Sequence, residues 1–227
     1  MIGFMKVKIT AVFMLGAGLL SAASDAPKRL EASAEAIKEV MGIPDKSIPQ
    51  DLLGKAQCFV IVPGLKKGAF IIGGKYGKGF ATCRKKDGVG WSAPGAVRVE
   101  GGSFGFQIGG AEADVFMLIM NAKGMDRLLS TKFTLGGEAS VAAGPVGRST
   151  QAETDAALTA EILTWSRQSG LFAGLALNGA TLREDSDWNK ELYGKALKNR
   201  EIITGNVPAP AAAAGLLDEL NKYSSRK

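Results

Sequence analysis

Cys58-Phe-Val-Ile-Val-Pro-Gly-Leu65-Lys66-Lys67-Gly-Ala-Phe-Ile-Ile-Gly-Gly-Lys75-Tyr-Gly-Lys78-Gly-Phe-Ala-Thr-Cys83-Arg84-Lys85-Lys86 decides how this chain is read. From Lys55 to Lys86 there are eight lysines and arginines and no acid. A disordered basic tail would lack Phe59, Ile61, Phe70, Ile71, Ile72 and Phe80, which are interleaved with the cations and must enter a core. The short apolar runs punctuated by glycine predict β-strands at Cys58 to Val62, Ala69 to Gly73 and Gly79 to Arg84. A folded surface displaying positive charge follows, and with it a partner of negative charge.

Outward from this stretch the same pattern continues. Strands are expected at Ala96 to Glu100, Phe104 to Ile108 and Val115 to Met120, then around Phe133 to Ala143, Ala160 to Trp165 and Leu171 to Leu177. Val115 to Met120 is apolar without alternation, the mark of a strand covered on both faces. Helices are expected at Pro27 to Met41, where Leu30, Ile37 and Met41 share a face, at Met125 to Ser130, at Trp188 to Leu197, and at the end around Leu216, Leu217 and Leu220. The fold class is α+β: a strongly curved, barrel-like antiparallel sheet with helices at both chain ends. The narrow, alanine-rich face of Pro27 to Met41 favours packing on the sheet over insertion into a bilayer.

The first residues set the expected compartment. Lys6 and Lys8 precede the uncharged run Ile9 to Leu20, and Ser21-Ala22-Ala23 supplies small residues where a signal peptidase cuts. The apolar run is well short of the ~20 residues a spanning helix needs. Cleavage near Ala23 and export to the periplasm or medium are expected. Cleavage removes two of the 28 cations and no acid, so the remaining chain stays mildly basic. In an oxidising space Cys58 and Cys83 can pair if their strands are neighbours; two separately buried thiols is the other reading. With no histidine and no Cys-x-x-Cys, neither metal nor redox cofactor is expected.

Several weaker patterns point to structure. Gly73 to Gly79 satisfies neither phosphate-loop spacing and reads as tight turns. Asp185-Ser-Asp187-Trp-Asn189 begins like a calcium loop but has Lys190 where glycine is expected and Ala196 where a glutamate is expected, so Ser186 or Asp187 reads as a helix cap. Catalysis would have to come from Glu153 with Asp155 or from Ser130 near Lys132, each of which also fits a solvated loop. Nucleic acid is excluded by export and by the lack of spaced aromatics in the basic stretch.

Trp91-Ser-Ala-Pro94, Gly101-Gly-Ser-Phe-Gly-Phe-Gln-Ile-Gly109, Ala142-Ala-Gly-Pro-Val-Gly-Arg148, Ser169-Gly-Leu-Phe-Ala-Gly174 and Asn178-Gly179 together resemble the SYLF domain family. In fungi the same domain is described as an actin-binding domain of actin regulators. The resemblance runs from about Leu52 to Gly194 and includes Gly73 to Gly79, Asp114 and Asn189 to Gly194. It divides the chain into a signal peptide (1–23), an amphipathic helix region (24–51), a SYLF-like domain (52–205) and a linker with a C-terminal helix (206–227). It implies non-enzymatic binding of anionic phospholipid, phosphoinositides in eukaryotic members, through basic residues and the N-terminal helix. Unlike eukaryotic members, the chain shows an apparent signal peptide and no SH3 or FYVE module, so actin is not an expected partner in its compartment.

The candidate lipid-binding residues are Lys66 and Lys67 in a Pro63-Gly64 turn, then Lys75 and Lys78 in the next turn, then Arg84, Lys85 and Lys86, with Leu65 and Trp91 as apolar contacts. Converging hairpin ends would gather them on one basic rim. A carrier that encloses a lipid tail inside the curved sheet is the alternative reading, and a hydrolase without histidine a more remote one.

Overall fold

The computed structural model describes residues 25–43, 47–69, 73–103, 111–147, 159–175 and 177–224. The predicted strands Ala69 to Gly73 and Phe104 to Ile108 fall largely or wholly outside them, as do the predicted leader, Glu153 and Asp155.

Among the described residues nine strands form one sheet. They are β1 (Cys58–Ala69), β2 (Gly73–Cys83), β3 (Gly95–Ser103), β4 (Ala111–Ile119), β5 (Lys132–Thr134), β6 (Val141–Ala143), β7 (Ile162–Gln168), β8 (Leu171–Gly174) and β9 (Thr181–Glu184). The spatial order is β5-β9-β3-β2-β1-β4-β7-β6, with β8 also on β7. Every pair is antiparallel except β6 with β7. The sheet curls into a half-barrel, and residues 135–140 run directly from edge strand β5 to edge strand β6. The helices are α1 (Asp25–Met41), α2 (Gln50–Lys55), α3 (Ala122–Leu128), α4 (Ser186–Tyr193), α5 (Asn199–Thr204) and α6 (Ala214–Ser224). The α+β class with helices at both ends is the one the sequence predicts.

Both faces of the sheet are covered. Phe59, Ile61, Phe80, Phe116 and Trp165 point outward beneath α1, α2 and α6. Val60, Val62, Val97, Met117 and Leu182 fill the inside of the curl, closed by Leu128 of α3 and Ile203 of α5. This double burial is why Val115 to Ile119 is uniformly apolar. Helix α1 packs, as its narrow face predicts: Leu30, Ile37 and Val40 are buried against the sheet and α6, while Met41 is only partly covered.

The sharpest departure from the sequence reading is at Pro63-Gly64. Strand β1 does not turn there. It continues to Ala69 through a bulge, with register shifts between Ile61 and Lys66 against β2 and between Val62 and Leu65 against β4. Gly64 takes φ +59° and donates its N–H to Asp114 Oδ1 at 2.9 Å, so a side chain on β4 replaces a ladder partner where Pro63 has no donor of its own. The extra residue changes the parity of the strand. Val62 and Leu65 both face the inner core, and Lys66 is released to the outer face. Gly77 and Gly79, read as turn residues, lie within β2. A Cβ on Gly79 would overlap the Ile61 carbonyl, and one on Gly77 would sit 2.8 Å from Val62 Cγ1. These glycines permit close approach of the bulged strand.

Candidate functional site: two basic ends of one hairpin

The cations of the β1–β2 ladder do not converge. Lys66, Lys67 and Lys75 lie at the connected end of the hairpin, the end where Ala69 pairs with Gly73; there Lys67 stands opposite Lys75 and Lys66 opposite Tyr76. Arg84, Lys85 and Lys86 follow β2 at its other end, about 30 Å or more from Lys75 at ~3.3 Å per residue. The predicted single rim is therefore two sites.

At the first end, like charges meet. The amine of Lys67 is held below the ordinary lysine range, chiefly by burial and then by the charge of Lys75 across the ladder. Directly opposed like charges destabilise a sheet, and an anion between them removes the conflict. Among the described residues neither lysine, nor Lys66, has an ion-pair partner. Lys66 also borders a cleft of about 500 Å³ between the hairpin and the first turns of α1, with Lys28, Arg29, Tyr76 and Trp188 on its walls. The alternation of β2 leaves Tyr76 49% exposed. Strand order brings the β7–β8 turn to the same end, because Lys67 pairs with Ala111 and Asp114 with Arg167. There Ser169 (φ +49°) and Gly170 turn the chain, leaving Leu171 72% exposed. At ~4.8 Å per strand, Tyr76 and Leu171 stand within roughly 20 Å.

This end is anchored by a charge cluster that sequence reasoning did not find, although Asp114 was singled out by resemblance. Arg167 donates to Asp114 Oδ2 from Nε (2.9 Å) and Nη2 (2.6 Å) and also pairs with Glu39 of α1. Arg29 Nη1 donates to the Pro63 carbonyl at 2.7 Å. Burial raises the Asp114 carboxyl above its ordinary value; the Gly64 N–H pulls it down, Glu112 pushes it up and Arg29 opposes that. Helix α1 is thereby fastened at the bulge that orients Lys66.

The remaining predicted contacts have structural work. Leu65 is fully buried and Trp91 is 3% exposed, so neither is a surface apolar contact as expected. Lys78 lies on β2, not in a turn; its Nζ is 2.8 Å from the buried Asp185 and 4.6 Å from the Trp188 ring centroid. Arg84, 8% exposed, donates from Nη2 to the carbonyls of Leu53 (3.2 Å) and Ser224 (2.7 Å) and stacks on Trp91 at 4.0 Å. The Trp91 indole donates to Ser224 Oγ at 3.0 Å. Arg84 thus closes the C-terminal ends of α2 and α6, where carbonyls carry partial negative charge. Lys85 and Lys86 are exposed. Cys58 and Cys83 are directly opposed and joined as a disulfide.

Asp185, not Ser186 or Asp187, caps α4, accepting from the Trp188 N–H at 3.1 Å. Buried Asn189 accepts from the Ala96 N–H and donates to Asn199, which in turn donates to the Ala96 carbonyl, fixing α4 and α5 to β3. Ser130 donates to the carbonyls of Arg127 and Lys132 in an exposed turn. Among the described residues no group of three metal-ligating side chains occurs, and no helix is long and apolar enough to cross a membrane.

Residues 100–223 match the family described as Ysc84, Las17-binding protein actin regulator. The chain belongs to this family. Within the Ysc84 family it is 39% identical over 178 residues to an SH3 domain-containing protein of Schizosaccharomyces pombe, covering 77% of this chain and 41% of that one. It is 32% identical over 184 residues to SH3 domain-containing YSC84-like protein 1 of Rattus norvegicus (81% and 54%). To Protein YSC84 of Saccharomyces cerevisiae it is 36% identical over 177 residues (76% and 37%). The chain spans about half, or less, of the length of these Ysc84 relatives.

Proposed function

We propose that this protein is a non-enzymatic, exported binder of anionic phospholipid surfaces, and that the connected end of the β1–β2 hairpin makes the contact. The observation that carries the reading is the opposed pair Lys67–Lys75, with exposed Tyr76 next to Lys75 in β2 and exposed Leu171 at the same end of the sheet. Lys66 and Lys28 extend the cationic surface. At about 1 kcal/mol per cation near an anionic membrane, four such contacts give roughly 4 kcal/mol, a millimolar attraction. Burying about 100 Å² of Tyr76 and Leu171 adds roughly 2.5 kcal/mol and brings affinity to tens of micromolar. Neither term suffices alone.

Capture of a lipid tail inside the sheet is disfavoured by the packed inner cluster around Val60, Val97 and Met117. Export is supported by the leader-like sequence and by the Cys58–Cys83 bond, which suits an oxidising space. Actin regulation and Las17 binding are named for the relatives; for an exported chain the lipid surface is the accessible partner.

The test is co-sedimentation with phosphatidylcholine vesicles, with and without phosphatidylglycerol or cardiolipin, across a salt titration. Binding that requires anionic lipid and fades with salt is the expected result. Salt-independent binding, or extraction of one lipid per protein, would replace surface binding with tail capture.

A further inference from the structure

The disulfide end of the hairpin carries a second cleft, of about 620 Å³, unrelated to the proposed membrane contact. Three features line it. Its rim holds Lys85 and Lys86, both exposed and without an ion-pair partner among the described residues. Asp87 also lines the cleft, accepting the Val89 N–H at 3.0 Å, and against it stand Arg84, Lys85 and Lys86, so the lining keeps a net positive charge. Its floor is apolar, from Met125 of α3, Ile203 of α5 and Leu217 of α6. Its far wall is the connection from α5 to α6. There the chain turns at Gly205 and Asn206 and then runs without regular structure to Pro210, and Asn206, Pro208 and Ala209 are exposed.

We propose that this cleft is a docking groove for an extended acidic segment of a partner protein. Exposed backbone outside any helix or strand, beside a groove, is what an added strand uses for its main-chain hydrogen bonds. An alternating acidic and apolar peptide then places its apolar side chains on the Met125, Ile203 and Leu217 floor and its carboxylates toward Lys85 and Lys86. Positive charge selects the acidic partner. A flat bilayer does not follow a recessed floor, so the observations favour a peptide over a second membrane contact. Arg84 and Trp91, which form the back of the cleft, are locked to Leu53 and Ser224, so the groove is rigid before any ligand arrives.

The experiment is a fluorescence-polarisation titration of the disulfide-bonded chain with a fluorescein-labelled octapeptide alternating glutamate and leucine, against one alternating lysine and leucine. The acidic peptide should bind and the basic one should not. Lys85→Glu with Lys86→Glu should weaken binding by roughly tenfold or more, two surface ion pairs' worth. Lys66→Glu with Lys67→Glu should leave it unchanged, and amide shifts on peptide addition should centre on Asn206, Val207 and Ala209. Absence of binding, equal binding of both peptides, or binding that survives reversal of Lys85 and Lys86 overturns the proposal. So does loss of vesicle affinity in that same variant, which would make this end a bilayer contact. All four lysines lie at the surface or on its rim, and an unchanged unfolding midpoint certifies each variant.

Discussion

The two ends of the β1–β2 ladder carry similar charge and use it in opposite ways. At the disulfide end Arg84 is withdrawn from water, stacked on Trp91 and bonded to the carbonyls of Leu53 and Ser224. At the connected end Lys66, Lys67 and Lys75 have no ion-pair partner among the described residues; Lys67 and Lys75 face each other, and Lys66 stands between Tyr76 of β2 and Glu112 of β4. A cation is structural where helix ends converge on it and available where the ladder forces it against its own kind. Net charge does not distinguish these cases; the side chain's neighbours do.

If that contrast holds, mutations at the two ends separate stability from binding. Trp91→Ala, which empties a buried site and leaves Arg84 without its platform, should cost about 3–5 kcal/mol in urea unfolding while the folded fraction still binds anionic vesicles. The Cys58→Ser, Cys83→Ser double variant opens a loop of sequence separation 25 and should lose about 3 kcal/mol, again with vesicle binding retained. At the connected end the signs reverse. Lys66→Gln with Lys67→Gln should leave the unfolding midpoint nearly unchanged and weaken vesicle binding by about 2 kcal/mol, some thirtyfold. Leu171→Ser should weaken it by roughly 1.5 kcal/mol, and this loss, unlike that of the lysines, should persist at high salt.

The smallest effect concerns pH. Asp114 has a folded carboxyl pKa raised above 3.8, chiefly by burial, so the folded state holds its proton more tightly than the unfolded state. Its contribution to stability is therefore greatest below the ordinary value and is lost as pH rises through the raised one. Asp114→Asn should remove that component of the pH dependence, measured as unfolding midpoint against pH. An unchanged profile would mean that Arg167 and the Gly64 N–H offset the burial completely.

Much of the fold was legible in the sequence because burial on both faces leaves a plain signature. Val115 to Met120 and the amphipathic run from Pro27 to Met41 needed only periodicity. Pro63-Gly64 misled because its local turn preference is overridden from a distance: the acceptor for Gly64 is Asp114, on a strand whose pairing no local pattern reveals. Gly77 and Gly79 misled for the same reason, since the backbone they accommodate belongs to the bulge. Of the candidate site, Lys66, Lys67 and Lys75 emerged from the acid-free stretch, but Tyr76 and Leu171 did not. A single exposed aromatic or leucine has no sequence signature until strand order places it beside a cation. Trp91 was conspicuous in a motif, yet its neighbours Arg84 and Ser224 are held together by helix ends distant in sequence.

The division between the two ends is tested most directly by vesicle co-sedimentation of two charge-reversed proteins side by side, Lys66→Glu with Lys67→Glu and Lys85→Glu with Lys86→Glu, at one salt concentration and one phosphatidylglycerol content. Both change the net charge equally. Loss of binding in the first and retention in the second is the predicted result. Equal loss in both would mean that the membrane reads only total charge, and the assignment of the contact to the connected end of the hairpin would be wrong.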